Sequence, residues 1–139
     1  MNIRNKEGYM DTTAHSAITA IERKEKLRFD YHPLVYICSP FAGDIEANVR
    51  NARRYSRYAV SKGYLPVTPH LLYPQFLDDG LQSERELGMF FGLVLMSKCS
   101  EVWVFGERIS TGMRIEIDRA SRKGYTIRFF SSDCEELRR

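Results

Sequence analysis

Short apolar runs alternate along this chain with longer segments whose apolar residues recur at helical spacing. The run LVYICSP is rich in β-branched and aromatic residues and is stopped by Pro40, which predicts a buried strand over Leu34 to Ser39. From Asp44 onward, Ile45, Val49, Ala52, Ala59 and Val60 predict a helix that keeps Arg50, Arg53, Arg54 and Arg57 mostly off its apolar stripe, with Gly63 as its C-cap. A second strand, LPVTP, and a loop, HLLYPQFLDDG, lead to a second helix, SERELGMFFGLVLMSKC, with Ser83 as the predicted N-cap. Apolar residues nearly encircle that helix, so it is expected to be well covered. The strand EVWVF, the helix ISTGMRIEIDRASRKG, the strand YTIRFF and a charged tail complete the pattern.

Strands apolar on both faces and alternating with helices predict a parallel sheet of four to five strands with helices on both faces and right-handed crossovers. The expected fold class is therefore α/β, a small Rossmann-like domain of the flavodoxin-like kind. Residues 32–139 form that domain, and residues 1–31, polar at first and then carrying Ala17, Ile18 and Ile21 on one side of a short helix, form an arm. There is no internal repeat and no low-complexity linker.

Composition narrows the function classes. The chain has 139 residues, 43% apolar and 12% aromatic, which suits one core. Its 21 Lys and Arg against 18 acidic residues give a net charge of +3, far from the dense basic surface that polymeric nucleic acid requires, and compatible with a phosphorylated small molecule. Its three cysteines, Cys38, Cys99 and Cys134, lack metal-ligand spacing and read as reduced structural thiols, so no metal is expected. No run reaches the roughly 18 apolar residues of a membrane helix, and the polar amino terminus lacks a signal peptide's apolar segment, so a cytoplasmic protein without a membrane partner is expected.

In an open α/β sheet, ligands bind at the carboxyl ends of the strands. Three segments meet there. SPFAGD, with Ser39, Pro40, Phe41 and Gly43, brings small residues and a helix terminus to the rim, although turn geometry by itself explains such residues. It lacks the glycine spacing of a dinucleotide fingerprint or a P-loop, and no cofactor is expected. His70 follows the second strand and is either a structural histidine or a ligand-facing one. In ISTGMRIEI, Ser110 can cap the helix and Gly112 allows close approach to its amides.

The same helix carries an oddly placed charge. At about 100° per residue, Met113, Ile117 and Ala120 share the inward face, and Glu116 stands about 60° from Met113, at the stripe's edge. It either snorkels outward or pairs with an Arg, or it reaches the ligand rim partly desolvated as a candidate nucleophile.

VYICSPFAG at the first strand and STGMRIEIDRA at the last helix resemble the two motifs of the nucleoside 2-deoxyribosyltransferase superfamily, which includes nucleoside 5'-monophosphate N-glycosidases. The resemblance spans most of Val35 to Phe130 and is greatest to a phage and bacterial branch with no assigned activity. It implies that Glu116 attacks the anomeric carbon of a sugar and that Tyr36 helps position it. Ser39 to Gly43 would lie against sugar and phosphate, Ser110 marks nucleotide users, and His70 resembles a histidine of the nucleotide hydrolases. The resemblance also implies a homodimer or larger homo-oligomer.

Two positions depart from the family. The acid that aids the leaving base falls at Gly92, with Glu84, Glu86 or Glu107 as possible replacements, and Ala42 stands where hydrolases can carry an Arg. The leading expectation is an enzyme that cleaves the N-glycosidic bond of a nucleoside 5'-monophosphate or related nucleotide, by hydrolysis or transfer. The alternative is a non-catalytic nucleotide or nucleotide-sugar sensor. A phosphoribohydrolase of the cytokinin-activating kind ranks last, because its Gly-Gly-rich element is absent.

Overall fold

A computed structural model describes residues 14–18 and 31–138. Residues 14–18, including Ala17 and Ile18, are helical; Ile21 and the rest of the arm lie outside the described residues. The chain divides into two compact units, residues 1–32 and 33–139, and the second holds the sheet.

In that unit β1 (Leu34–Cys38), α1 (Ile45–Ser61), β2 (Leu65–Val67), α2 (Gln82–Met96), β3 (Glu101–Phe105), α3 (Thr111–Arg122), β4 (Thr126–Phe130) and β5 (Glu136–Leu137) follow one another. The strand order is β2-β1-β3-β4-β5. The first four strands are parallel, and β5 pairs antiparallel with β4 through Phe129 opposite Leu137. This is a Rossmann-like α/β fold, and its chain direction reverses between β1 and β3, where the connections to β2 and β4 lead off to opposite sides.

Alternation along the strands divides the core. Val35, Ile37, Trp103, Phe105 and Phe130 face α1 and bury its Tyr55 and Ala59. Tyr36, Cys38, Val102 and Val104 face the other way, onto Met96 of α2 and Met113, Ile117 and Ala120 of α3. Tyr55 stacks on Phe105 at 4.3 Å between ring centroids, so the α1 face is closed mainly by aromatic rings.

Several local expectations change. β1 stops at Cys38 rather than Ser39, because Pro40 ends the ladder. On α1, Tyr55 joins the stripe, while Ile45 and Val60 are exposed at its two ends. Gly63, at φ 87°, lies one residue past the cap, Lys62. The cap of α2 is Leu81, without a side-chain bond, and Ser83 is already inside the first turn; the chain is led in by a turn in which Asp78 accepts from Gly80 and Leu81. The loop before it winds into two 3-10 turns, Pro69–Leu71 and Tyr73–Gln75. The charged tail supplies β5, held by Arg128, which pairs with Glu136 at 2.8 Å and Glu101 at 3.3 Å.

The largest departure is the coverage of α2. Only Gly92 and Met96 are buried, and Leu87, Phe90 and Val94 form an exposed stripe, Phe90 being 61% exposed. Helical spacing counted apolar residues correctly, but one sheet face and one neighbouring helix cannot cover a helix that is apolar all round.

Candidate functional site

The carboxyl end of β1 lies at the switch point, and Tyr36 projects from it toward α2 and α3. Glu116 comes up from α3 to meet it, one turn after Met113. Its placement follows from the capping of that helix: Ser110 Oγ accepts from the Met113 backbone N–H at 3.2 Å, which fixes where the helix starts and so which residue faces β1. Glu116 is 3% exposed, inside the stripe rather than at its edge.

Glu116 is shielded from solvent, and no Arg among the described residues pairs with it. The Tyr36 hydroxyl donates to Glu116 Oε2, and the Cys38 thiol lies 3.8 Å from Oε1 and 4.0 Å from the Met113 carbonyl. Cys38 is free and buried, so it fits the expectation of a reduced thiol, but it is not a bystander in the packing. Spacing gave no signal for its contact with Glu116, because 78 residues separate them.

Burial pushes Glu116 up from 4.5 to about 7, against the opposing effects of the Tyr36 and Cys38 donors. The same desolvation, with the Glu116 charge beside them, pushes Tyr36 and Cys38 well up, so both stay protonated donors. A carboxylate that ionises near neutrality, oriented by two neutral donors, can act as a nucleophile or exchange a proton.

Glu116 and Tyr36 form the inner end of a cleft. Phe41 and His70 line it from the rim, Gly88, Met89 and Gly92 from α2, and Asp79, Glu84 and Arg85 from the entry to that helix. Phe41 and His70 stack at 5.1 Å. Burial lowers the His70 pKa, opposed by a bond to the Ser39 backbone and the charge of Asp79. Of the expected site residues, then, Glu116, Tyr36, Phe41 and His70 share one cleft.

The others do not line it. Ser39 is buried directly beneath the loop, and its hydroxyl is the one buried side-chain oxygen or nitrogen without a hydrogen-bond partner among the described residues. Pro40 is half-buried next to it. Gly43 is exposed, with φ 98°, and turns the chain into α1, whose cap Asp44 accepts from Ala47 at 3.1 Å. Asn48, which the sequence reading passed over, pins the loop by donating to the Phe41 and Ala42 carbonyls at 2.9 and 3.0 Å. A Cβ on Gly112 would sit 3.5 Å from Met89 Cε, an ordinary contact, so the packing of α3 on α2 does not require glycine there.

The position of the missing acid has a clear physical reading. A Cβ on Gly92 would lie 2.9 Å from the Tyr36 hydroxyl, so a side chain there forces the Glu116 donor or the helix to shift. Of the three possible replacement acids, Glu84 lines the cleft and accepts from the Asp78 N–H at 2.7 Å. Glu86 accepts from Gln82 on the exposed side, and Glu107 accepts from Ser132; neither lines the cleft. Asp79 and Arg85 are cleft residues that the sequence reading did not single out; Asp79 lies in the loop between the second 3-10 turn and α2, and Arg85 near the start of α2.

No group of three or more His, Cys, Asp or Glu side chains that could hold a metal occurs among the described residues. Among those residues no helix is long and apolar enough to cross a membrane.

The family described as "Domain of unknown function (DUF7768)" matches residues 33–130. No curated protein matches the sequence. Among solved structures, the chain is similar to the 2-deoxyribosyltransferase of the psychrotolerant bacterium Bacillus psychrosaccharolyticus, described as a biocatalyst for the synthesis of antiviral and antitumoral nucleosides. The TM-score is 0.59 at 16% identity, over 70% of this chain and 72% of that one, a likeness of fold.

Proposed function

This chain belongs to the DUF7768 family, and we propose that it cleaves the N-glycosidic bond of a nucleoside 5'-monophosphate or a related nucleotide, with Glu116 as the nucleophile. The observation that carries this reading is the buried carboxylate of Glu116, held by Tyr36 at the inner end of an open cleft. The structural likeness to a 2-deoxyribosyltransferase supports the same class of chemistry.

In the proposed reaction an oxygen of ionised Glu116 bonds to the anomeric carbon as the bond to the base nitrogen breaks, and the electron pair leaves with the base. The negative carboxylate stabilises the oxocarbenium-like transition state and becomes a glycosyl ester. Water then opens the ester in hydrolysis, or a second base opens it in transfer. The departing base takes a proton, for which Asp79, Glu84 and His70 are the groups around the cleft. The sugar stacks against Phe41, and the 5'-phosphate lies toward Ser39, Pro40, Gly43 and the Ser110 end of α3. The amino-terminal dipole of α3 supports that orientation.

The protein is further proposed to be a homo-oligomer, a reading supported by the exposed apolar stripe of α2.

Chromatography of a panel of nucleoside monophosphates incubated with the protein tests the activity. Free base is expected with the native chain, and Glu116→Gln is expected to lower its release by about 100-fold or more. Unchanged turnover in that variant removes Glu116 from the mechanism. The second reading, a nucleotide sensor, rests on Gly92, where no acid fits beside Tyr36. It takes precedence if nucleoside monophosphates raise the melting temperature while no base appears.

A further inference from the structure

We propose that Cys38 is a positioning residue for Glu116: its thiol donates weakly to Oε1 while Tyr36 donates to Oε2, so both carboxylate oxygens are fixed. The inference deepens the reading of Glu116 as nucleophile and rests on it for its catalytic consequence, but the geometry of the clamp stands on its own.

Tyr36 and Cys38 are two residues apart on β1 and so project to the same side of the sheet, both buried, toward one carboxylate on α3. The two donors are unequal. A phenol hydroxyl is a strong donor, whereas a thiol is a weak one and, at 3.8 Å, draws little electron density from its acceptor. Oε2 is therefore the anchored oxygen, and Oε1 is oriented while keeping its nucleophilicity. The thiol stays protonated in this environment, since burial and the Glu116 charge both oppose a thiolate.

The thiol also has a second acceptor within reach, the Met113 carbonyl at 4.0 Å. Cys38 donates to Oε1 when Glu116 is ionised, where the acceptor is charged, and turns toward Met113 when Glu116 is protonated. The other ionisable groups lining the cleft are His70, Tyr73 and Asp79 on the loop and Glu84 and Arg85 on α2, and among the described residues the side-chain donors to Glu116 are Tyr36 and Cys38.

Cys38→Val and Cys38→Ala test this together. Val keeps the apolar volume and suits a strand but cannot donate, while Ala removes both volume and donor. Carbon-13 NMR of the Glu116 carboxyl, assigned through Glu116→Gln, gives its titration midpoint without any substrate. Both variants are expected to raise the midpoint by about half a unit or more, the loss of a donor to the charged form. The native S–H stretch in the infrared is expected to shift as Glu116 titrates. With a nucleoside monophosphate that the native protein cleaves, kcat at alkaline pH should fall several-fold with KM nearly unchanged.

A purely packing role predicts a lower melting temperature for Ala, no change in midpoint for Val, and an S–H band insensitive to pH; that result overturns the proposal. If the native chain cleaves no nucleotide, the catalytic reading fails, and the midpoint and the S–H band still decide the clamp.

Discussion

At the residue scale the decisive feature is one carboxylate in a place that opposes its charge. Glu116 is pushed from 4.5 to about 7 chiefly by burial, so between those values the folded protein keeps a proton that the unfolded chain gives up. Stability is therefore unpenalised below about pH 4.5, falls as the pH rises toward 7, and stays reduced above it. The shift corresponds to about 3 kcal/mol at most. Glu116→Gln, which keeps an acceptor for Tyr36 but carries no charge, is expected to raise the melting temperature at pH 8 and to change it little at pH 4. Melts of the native and Gln forms across that range check the sign. A larger gain at pH 4 than at pH 8 means that the carboxylate is not desolvated. In the proposed reaction catalysis runs opposite to stability: the ionised form would be the nucleophile, so the group would act where the fold tolerates it least.

At the scale of elements, the site depends on how closely α2 approaches β1. Gly92 is the contact, with room for the Tyr36 hydroxyl and nothing larger. On an open helix face, Gly→Ala stabilises by about 1 kcal/mol. Gly92→Ala is expected to forfeit that gain, because Tyr36 or the helix must shift, and to slow base release by about tenfold or more, read by melts and by chromatography. A gain in melting temperature with full activity contradicts the contact. The elements themselves were legible in the sequence: short β-branched and aromatic runs marked β1 and β3, and helical spacing marked α1 and α3. The position of Glu116 on α3 was legible too, as an angle on a wheel. Its partners were not, because the angle says which way a side chain points and not what the opposite strand presents. Cys38 read as one more apolar residue of a buried strand, Asp79 as loop polarity and Arg85 as one polar residue of a helix, since contacts made across 80 residues or through 3-10 turns leave no periodic trace. β5 was hidden for a related reason: two residues, Glu136 and Leu137, paired with β4 and tied to it by the Arg128–Glu136 ion pair, look like charged tail.

At the scale of the whole molecule, the parallel sheet gives its two faces unequal cover. α1 closes one face with the help of stacked aromatic rings, whereas α2 and α3 share the other and leave Leu87, Phe90 and Val94 of α2 in water. These residues recur at i, i+3 and i+7, so they form a continuous stripe along the helix whose opposite side carries Gly88 and Gly92 to the cleft. A second copy placing its own stripe there would bury both, a self-complementary contact across a two-fold axis. It would also stiffen the helix that holds Gly92 against Tyr36, linking assembly to the geometry of the nucleophile. Light scattering coupled to size exclusion is expected to show the native chain as a dimer or larger species, and Phe90→Glu as a monomer, because two buried unpaired carboxylates would face each other at the contact. The monomer should keep its far-ultraviolet circular dichroism and release base more slowly. A native chain that is monomeric at all accessible concentrations removes the second copy, and leaves the stripe without the role proposed for it.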